Sequence, residues 1–461
     1  MRPTQWRTST HLIVGAGVLA VVAALVAAAA LLTSSGNGAS AHVAPPPPAV
    51  TVKPGVVPVA ANAPVPSHSA LAAALALVAA DPNLGKLGAR VTDAMTGEEL
   101  WQQSDDVLLQ PASTNKTLTS AAALLALDRN ARVTTRVVAG SDSGTVVLVG
   151  GGDPTLSGAA PGQSTWYHHA PRLSDLADQV RRSGVTPTAV EVNTSLFTGP
   201  TFAPGWDPAD IEGGDIAPIE SVMLDAGRIQ PATDESRRST TPALDAGHAL
   251  AAALGVDPQR VTVTNRPVDS SARQLAAVQS APLIERLNEM MNVSDNVMAE
   301  SIAREVAAAM QRPLSFTGAV AAVTNRLGTA HIDTGSAILR DSSGLSVDDR
   351  LTAKTLDSVV QAAAGPDEPT LRPLLDLLPI AGGSGTLSDR FIDGTPAGSG
   401  PAGWLRAKTG SLTAINALAG VVTDRSGRVL SFALISNDAG MSGRTAIDAV
   451  AATLWSCGCV T

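Results

Sequence analysis

The stretch PASTNKTLTSAAALLAL (111–127) places a serine and a lysine three residues apart at the head of an apolar run. Residues i and i+3 share one face of a helix, so a helix starting here stacks Ser113 and Lys116 within hydrogen-bond reach. From Ala121 to Leu127 the apolar residues are continuous, which predicts a helix buried on every side rather than an amphipathic surface helix. The chain carries five lysines against 27 arginines, so a lysine entering a buried helix asks for a chemical reason. A buried ammonium loses hydration and its pKa falls from about 10.4, which turns it into a base able to take a serine's proton. Arginine stays protonated in the same setting and cannot do this.

Bulk composition limits what surrounds that pair. At 461 residues with 44% hydrophobic content, the chain is long enough for two or three domains with real cores. A net charge of −9 without a basic block argues against a nucleic-acid partner, because backbone phosphates are repelled. The only cysteines, Cys457 and Cys459, cannot build a disulfide framework or a four-ligand zinc site. They read as part of an exposed tail, with a small strained ring as the alternative in an oxidising compartment.

The N-terminus sets the expected location. After a short tail (1–11), residues 12–32 run without a charge, a helix of roughly 31 Å that matches a bilayer core. Arg2 and Arg7 precede it and no basic residue follows until Lys53, so the positive-inside rule puts the body outside the cytoplasm. The run exceeds a usual signal-peptide core and favours an uncleaved membrane anchor, although Ala39-Ser40-Ala41 offers a signal-peptidase site. Residues 33–68, rich in Ser, Gly, Ala and Pro, cannot bury apolar surface and predict an extended linker.

Folded sequence begins near Ser69 with an Ala/Leu helix, and GARVTDAMTGEELWQQ (88–103) alternates about a Met95-Thr96-Gly97 turn as a hairpin does. From Arg132 to about Ser270 the texture changes to short β runs split by Gly and Pro, the mark of a separate mixed domain. Helical pattern returns over 283–310. The end of the chain reads β-β-β-α, with a hairpin turn at Asp424-Arg425-Ser426-Gly427 and a final helix over about 444–455. The run of elements reads as α/β (α+β).

Two further elements carry chemistry. Lys408-Thr409-Gly410 ends a predicted strand, where a cation and a hydroxyl suit a carboxylate and the glycine lets a ligand approach the backbone. Ser294-Asp295-Asn296 is a polar triplet in an apolar helical neighbourhood, and buried Ser and Asn side chains need partners. Lys86 and Lys354 sit in polar surroundings and need no special account.

S-x-x-K, S-D-N and K-T-G together form a known signature of serine β-lactamases and penicillin-binding proteins. From about residue 69 to its end the chain resembles that superfamily, and more closely the class C penicillin-binding proteins, a group of D-Ala-D-Ala carboxypeptidases and endopeptidases. GGDPTL (151–156), FAPGW (202–206), DSSGLS (341–346), LPIAGGSGTL (378–387) and AKTGSL (407–412) all have the look of that group. The resemblance implies an antiparallel sheet packed between helices in one transpeptidase-like domain, built from residues 69–138 and 271–461 around an inserted mixed α/β domain at 139–270. It also implies a stem peptide ending in D-Ala-D-Ala as substrate, acylation by β-lactams, and no metal or organic cofactor.

By the same resemblance, Ser113 is the nucleophile and Lys116 its proton acceptor. Ser294 relays the leaving-group proton and Asn296 holds the substrate amide. Lys408, Thr409 and Gly410 take the terminal carboxylate, and the backbone N–H groups of Ser113 and Ser411 form an oxyanion hole. Asp210, four residues after Trp206, matches an aspartate that lines the group's site from the insert, whereas Asp153 reads as a turn residue. Val347 follows GLS where the group often has a basic residue, with Arg350 three further on.

A β-lactamase is the nearest rival, but no E-x-x-L-N follows Asn296, and the 177 residues between Lys116 and Ser294 leave room for a domain that compact β-lactamases lack. A non-catalytic wall-binding protein has no use for a lysine of depressed pKa beside a serine. Ser-His-Asp chemistry is disfavoured, since no G-x-S-x-G elbow occurs.

Overall fold

The structure, a computed structural model, describes residues 62–233 and 236–458. The expected tail, the 12–32 span and most of the linker lie outside them. Among the described residues no helix is long and apolar enough to cross a membrane. The end of the linker departs from an extended tether. Ala63 is buried and its carbonyl accepts from Arg428 Nη1 at 3.3 Å. Arg428 also donates to both carboxylate oxygens of Asp93, so its spare N–H fastens residues 62–67 to the body. Ser67 then caps the helix His68–Leu75 by accepting from Ala70 N–H.

Ten strands lie among the described residues: β1 (Lys86–Asp93), β2 (Glu99–Gln103), β3 (Thr134–Ala139), β4 (Thr145–Val149), β5 (Ala189–Asn193), β6 (Val261–Thr264), β7 (Gln274–Gln279), β8 (Leu405–Leu412), β9 (Ile415–Thr423) and β10 (Val429–Asn437). The first sheet is antiparallel throughout, in the order β2-β1-β10-β9-β8, and includes both expected hairpins. At the first hairpin, Asp93 Oδ1 accepts from the N–H groups of Met95 and Thr96, both at 2.9 Å, and Gly97 takes φ +74°.

Side-chain alternation feeds two cores from one sheet. On β10, Leu430, Phe432 and Leu434 pack with the helices His68–Leu75 and Gly443–Ser456. Ala433 and Ile435 face the opposite core, which holds the helices Lys116–Ala126, Leu283–Val293, Asn296–Ala309, Phe316–Thr329 and Ala353–Ala364. The sheet is thus packed between helices. The second sheet, β6-β5-β4-β3-β7, is mixed: β4, β5 and β6 are parallel while β3 is antiparallel to β4 and β7. Its core rests on the helices Leu173–Arg182 and Pro242–Leu254. Strands β3 and β7 flank the 139–270 span, so the chain joins this sheet at Thr134 and leaves it at Gln279.

Part of the intervening stretch belongs to the larger core instead. Tyr167, Ala203, Trp206, Ile216 and Met223 all pack there. Trp206 meets Phe202 and Phe316 edge-to-face at 5.0 and 5.1 Å and donates its indole N–H to Asp341 at 2.7 Å.

Two expectations are corrected. Cys457 is not in an exposed tail: the apolar face of Gly443–Ser456 (Ile447, Val450, Leu454) carries it into the core, where it is 4% exposed and disulfide-bonded. The Lys116–Ala126 helix is buried all round only as far as Leu124, because its end turns toward solvent and Arg326 covers the Leu125 carbonyl.

Candidate active site

The tripeptide Ser294-Asp295-Asn296 breaks the helical pattern of 283–310. Ser294 adopts φ +60°, ψ +37° and ends the helix Leu283–Val293. Asp295 then caps the next helix, its Oδ1 accepting from Met298 N–H at 2.9 Å. Three polar residues therefore sit between two apolar helices because one terminates the first and another starts the second. A left-handed serine is a strained conformation that persists only where its surroundings hold it.

Ser113 lies on a single 3-10 turn, Ala112–Asn115, that feeds the helix starting at Lys116. Ala112 is itself left-handed, at φ +48°. Its carbonyl faces Gly344, where any Cβ would overlap the oxygen, so the turn depends on a glycine across from it. Gly410 performs the same service from β8, an edge strand, with Pro111 O 2.8 Å from where a Cβ would stand.

These close approaches bring the three motifs to one wall. Lys116 Nζ lies 2.9 Å from Ser113 Oγ, 2.6 Å from Asn296 Oδ1 and 2.8 Å from the Ser343 carbonyl. Lys408 Nζ lies 2.9 Å from Ser294 Oγ and 2.8 Å from its neighbour's carbonyl at Thr409. Both lysines are fully buried. Burial pulls the Lys116 ammonium down to about 8, partly offset by the carboxylates of Asp341, Asp295, Glu300 and Asp215. Burial, and then the like charge of Lys116, pushes Lys408 well below its ordinary value. An amine of this kind 2.9 Å from a hydroxyl can take its proton, and a second amine bonded to a second hydroxyl can pass one on.

The wall opens on a cavity of about 600 Å³ whose lining includes Ser113, Ser294, Asn296, Thr409 and Ser411. Asp210 lines it too, from the short helix Ala209–Gly213, with its carboxyl raised by burial and then by Asp215. Asp153 lies elsewhere. Its Oδ1 accepts from Thr155 N–H and Oγ–H in a two-residue turn, and burial raises it to about 6. Arg350 does not reach the cavity. Its guanidinium donates to the Val347 and Asp349 carbonyls of its own turn.

Other lining residues escaped sequence reasoning. Thr386 accepts from the Thr409 hydroxyl at 2.7 Å. Asp215 presents its carbonyl to Asn296 Nδ2 at 3.0 Å. Arg390, ion-paired with Asp448, and Arg444 add cations. Thr386 falls within the quoted LPIAGGSGTL stretch, so a signal existed there; the two arginines stand in no motif.

A Ser-Lys pair backed by a second Lys-Ser pair, on an antiparallel sheet between helices, defines a serine acyl-transfer hydrolase. The chain belongs to the D-Ala-D-Ala carboxypeptidase 3 (S13) family, whose model matches residues 71–239 and 231–454. A second model, described as the Carboxypeptidase Rv3627c-like N-terminal domain, matches residues 1–58. The chain is 68% identical to Carboxypeptidase Rv3627c of Mycobacterium tuberculosis and 65% identical to Carboxypeptidase DacB of Mycolicibacterium smegmatis, over the whole of each chain. Among solved structures it is similar to penicillin binding protein 4 of Haemophilus influenzae, with TM-score 0.68 and 22% identity over 83% of this chain and 97% of that one. That likeness is one of fold.

Proposed function

We propose that this protein is a serine D-Ala-D-Ala carboxypeptidase that trims peptidoglycan stem peptides through an ester on Ser113. The observation that carries the reading is the buried Lys116 Nζ, 2.9 Å from Ser113 Oγ and 2.6 Å from Asn296 Oδ1. Family membership and the carboxypeptidase names of its whole-length relatives support it.

In this reading neutral Lys116 takes the Ser113 hydroxyl proton as Oγ attacks the carbonyl carbon of the penultimate D-Ala. The backbone N–H groups of Ser113 and Ser411 hold the oxyanion. The C–N bond breaks as the proton held on Lys116 passes by way of Ser294 to the leaving D-Ala amine, which leaves Lys116 neutral again. Water then attacks the ester carbonyl, Lys116 takes its proton, and that proton returns to Ser113 Oγ as the ester C–O bond breaks. Asn296 orients the substrate amide. The terminal carboxylate sits on Lys408, Thr409 and Gly410, where its charge opposes the downward pull of burial on the Lys408 ammonium. Asp210 borders the acyl side. β-Lactams acylate the same oxygen, and cleavage of cross-links is a second activity of the same machinery.

Residues 12–32 tether the chain to the membrane with its body on the outer side, and the segment around β3–β7 is an inserted domain. A fluorescent penicillin tests the core claim: the wild type should take covalent label and Ser113→Ala none. An unlabelled wild type favours a wall-binding protein without turnover.

A further inference from the structure

Ser294 and Asn296 are gripped from the segment that separates the two halves of the catalytic body. Asp295, between them, is 5% exposed, and its second oxygen, Oδ2, accepts from Tyr167 O–H at 2.6 Å. Tyr167 is the only tyrosine of the chain and is 1% exposed. Its hydroxyl in turn accepts from Arg228 Nη1 at 2.8 Å, and the same guanidinium lies 3.6 Å from Asp295 Oδ2 and 4.5 Å from the Trp166 ring centroid. Burial opposes a charge on Asp295, but Arg228 and Arg238 hold its carboxyl below the usual range. A second strut runs parallel: Arg238 Nε donates to the Gly214 carbonyl at 2.8 Å, next to Asp215, whose carbonyl takes the Asn296 amide.

The Ser294 backbone is a left-handed helix cap: its N–H and that of Asp295, the latter at 3.1 Å, both donate to the Met290 carbonyl, while Asp295 Oδ1 caps the next helix. These local bonds fix the backbone and one carboxylate oxygen. The remaining oxygen is fixed from more than 120 residues upstream, by a donor whose acidity is suppressed by burial and then by Asp295 itself. A buried carboxylate that loses one charge-assisted donor is free to rotate and to seek water.

We infer that Tyr167 is a positioning residue: its hydroxyl fixes the Asp295 carboxylate and thereby sets Ser294 and Asn296 against Lys408 and Lys116. The intervening segment is thus part of the catalytic apparatus and not only a neighbour of it. The inference rests on the proposed carboxypeptidase reading for its kinetic arm, and on hydrogen exchange for an arm independent of that reading.

The test is Tyr167→Phe in the full chain, which keeps the ring and removes one O–H. Active sites are first counted by stoichiometric penicillin labelling, and kcat is expressed per labelled site. Expected is a fall in kcat of about tenfold or more for a D-Ala-D-Ala peptide, with KM within about twofold and the acid limb of the rate unmoved, as misplacement of a relay predicts. The limb stays because Lys116 still faces Asp341, Asp295, Glu300 and Asp215 and still neighbours Lys408. Exchange of the 294–298 amides should quicken about tenfold. Wild-type kcat per site overturns the positioning role, as does unchanged exchange over 294–298. If the wild type neither takes penicillin nor releases D-Ala, the carboxypeptidase reading fails, and the exchange data alone decide whether Tyr167 fixes the triplet.

Discussion

The pH dependence of acylation gives the sharpest test of the buried Lys116. Its amine reacts only when neutral, and burial brings it to about 8. At that value roughly a tenth of the amine is neutral at pH 7 and roughly nine-tenths at pH 9, so the second-order rate constant for penicillin should rise about tenfold and level off. A lysine with an ordinary pKa of about 10.4 would give about a hundredfold rise over the same interval with no plateau below pH 10. The difference amounts to roughly 3 kcal/mol of selective stabilisation of the neutral form. Lys408 is depressed by burial and then by the charge of Lys116, so the two amines titrate as a coupled pair and the limb belongs to the pair. Stopped-flow labelling with a fluorescent penicillin from pH 6 to 10 reads it directly. Lys116→Arg, protonated throughout, should lose the limb together with about 10^2- to 10^4-fold in rate. A hundredfold climb without a plateau, or a flat profile, would refute the reasoning.

Three further outcomes are expected. Gly344→Ala, which sets a Cβ against the Ala112 carbonyl at φ +82°, should lower the melting temperature and slow penicillin labelling together, because the turn bearing Ser113 must move. Glu300 is raised to about 7 by burial and then by Asp341, so folding takes up a proton and stability falls as pH rises from about 4.5 to 7, by roughly 3 kcal/mol; urea melts of Glu300→Gln should lack this decline. D-Ala release should persist in excess chelator, since Lys116 supplies the base that a metal-bound hydroxide would otherwise provide.

The legible parts of the site were the local ones. Ser113 and Lys116 share a helical face, and the two hairpins carry turn residues that alternating strands require, so each could be read within twenty residues. The break at Ser294 was visible as polarity in an apolar run, but not its left-handed backbone, which its own N–H secures on the Met290 carbonyl, nor the bond that Tyr167 makes to Asp295 from 128 residues away in sequence. Arg390 and Arg444 reach the cavity through the packing of the last helix, and Asp215 through its backbone carbonyl, which no side-chain pattern encodes. Cys457 was misread because composition shows where a residue lies in the chain and not that a helix's apolar face extends through it.

The two buried lysines differ in a way that separates their roles. Lys116 meets three acceptors, one for each N–H of its ammonium, and each is fixed from a different place. The Ser343 carbonyl stands on a loop whose N–H groups at Ser342 and Ser343 both donate to Glu300 at 2.8 Å, while Asp341 takes those of Gly344 and Ser346. Four carboxylates therefore oppose the desolvation of Lys116 and stop its fall near 8, where protonated and neutral forms exchange readily at working pH. Among the described residues Lys408 meets two acceptors, and no carboxylate there offsets its burial. Its missing counter-charge fits an anion arriving in the cavity, so the residue short of a partner is the one suited to bind the substrate's terminal carboxylate, and the residue with partners is the one suited to shuttle the proton.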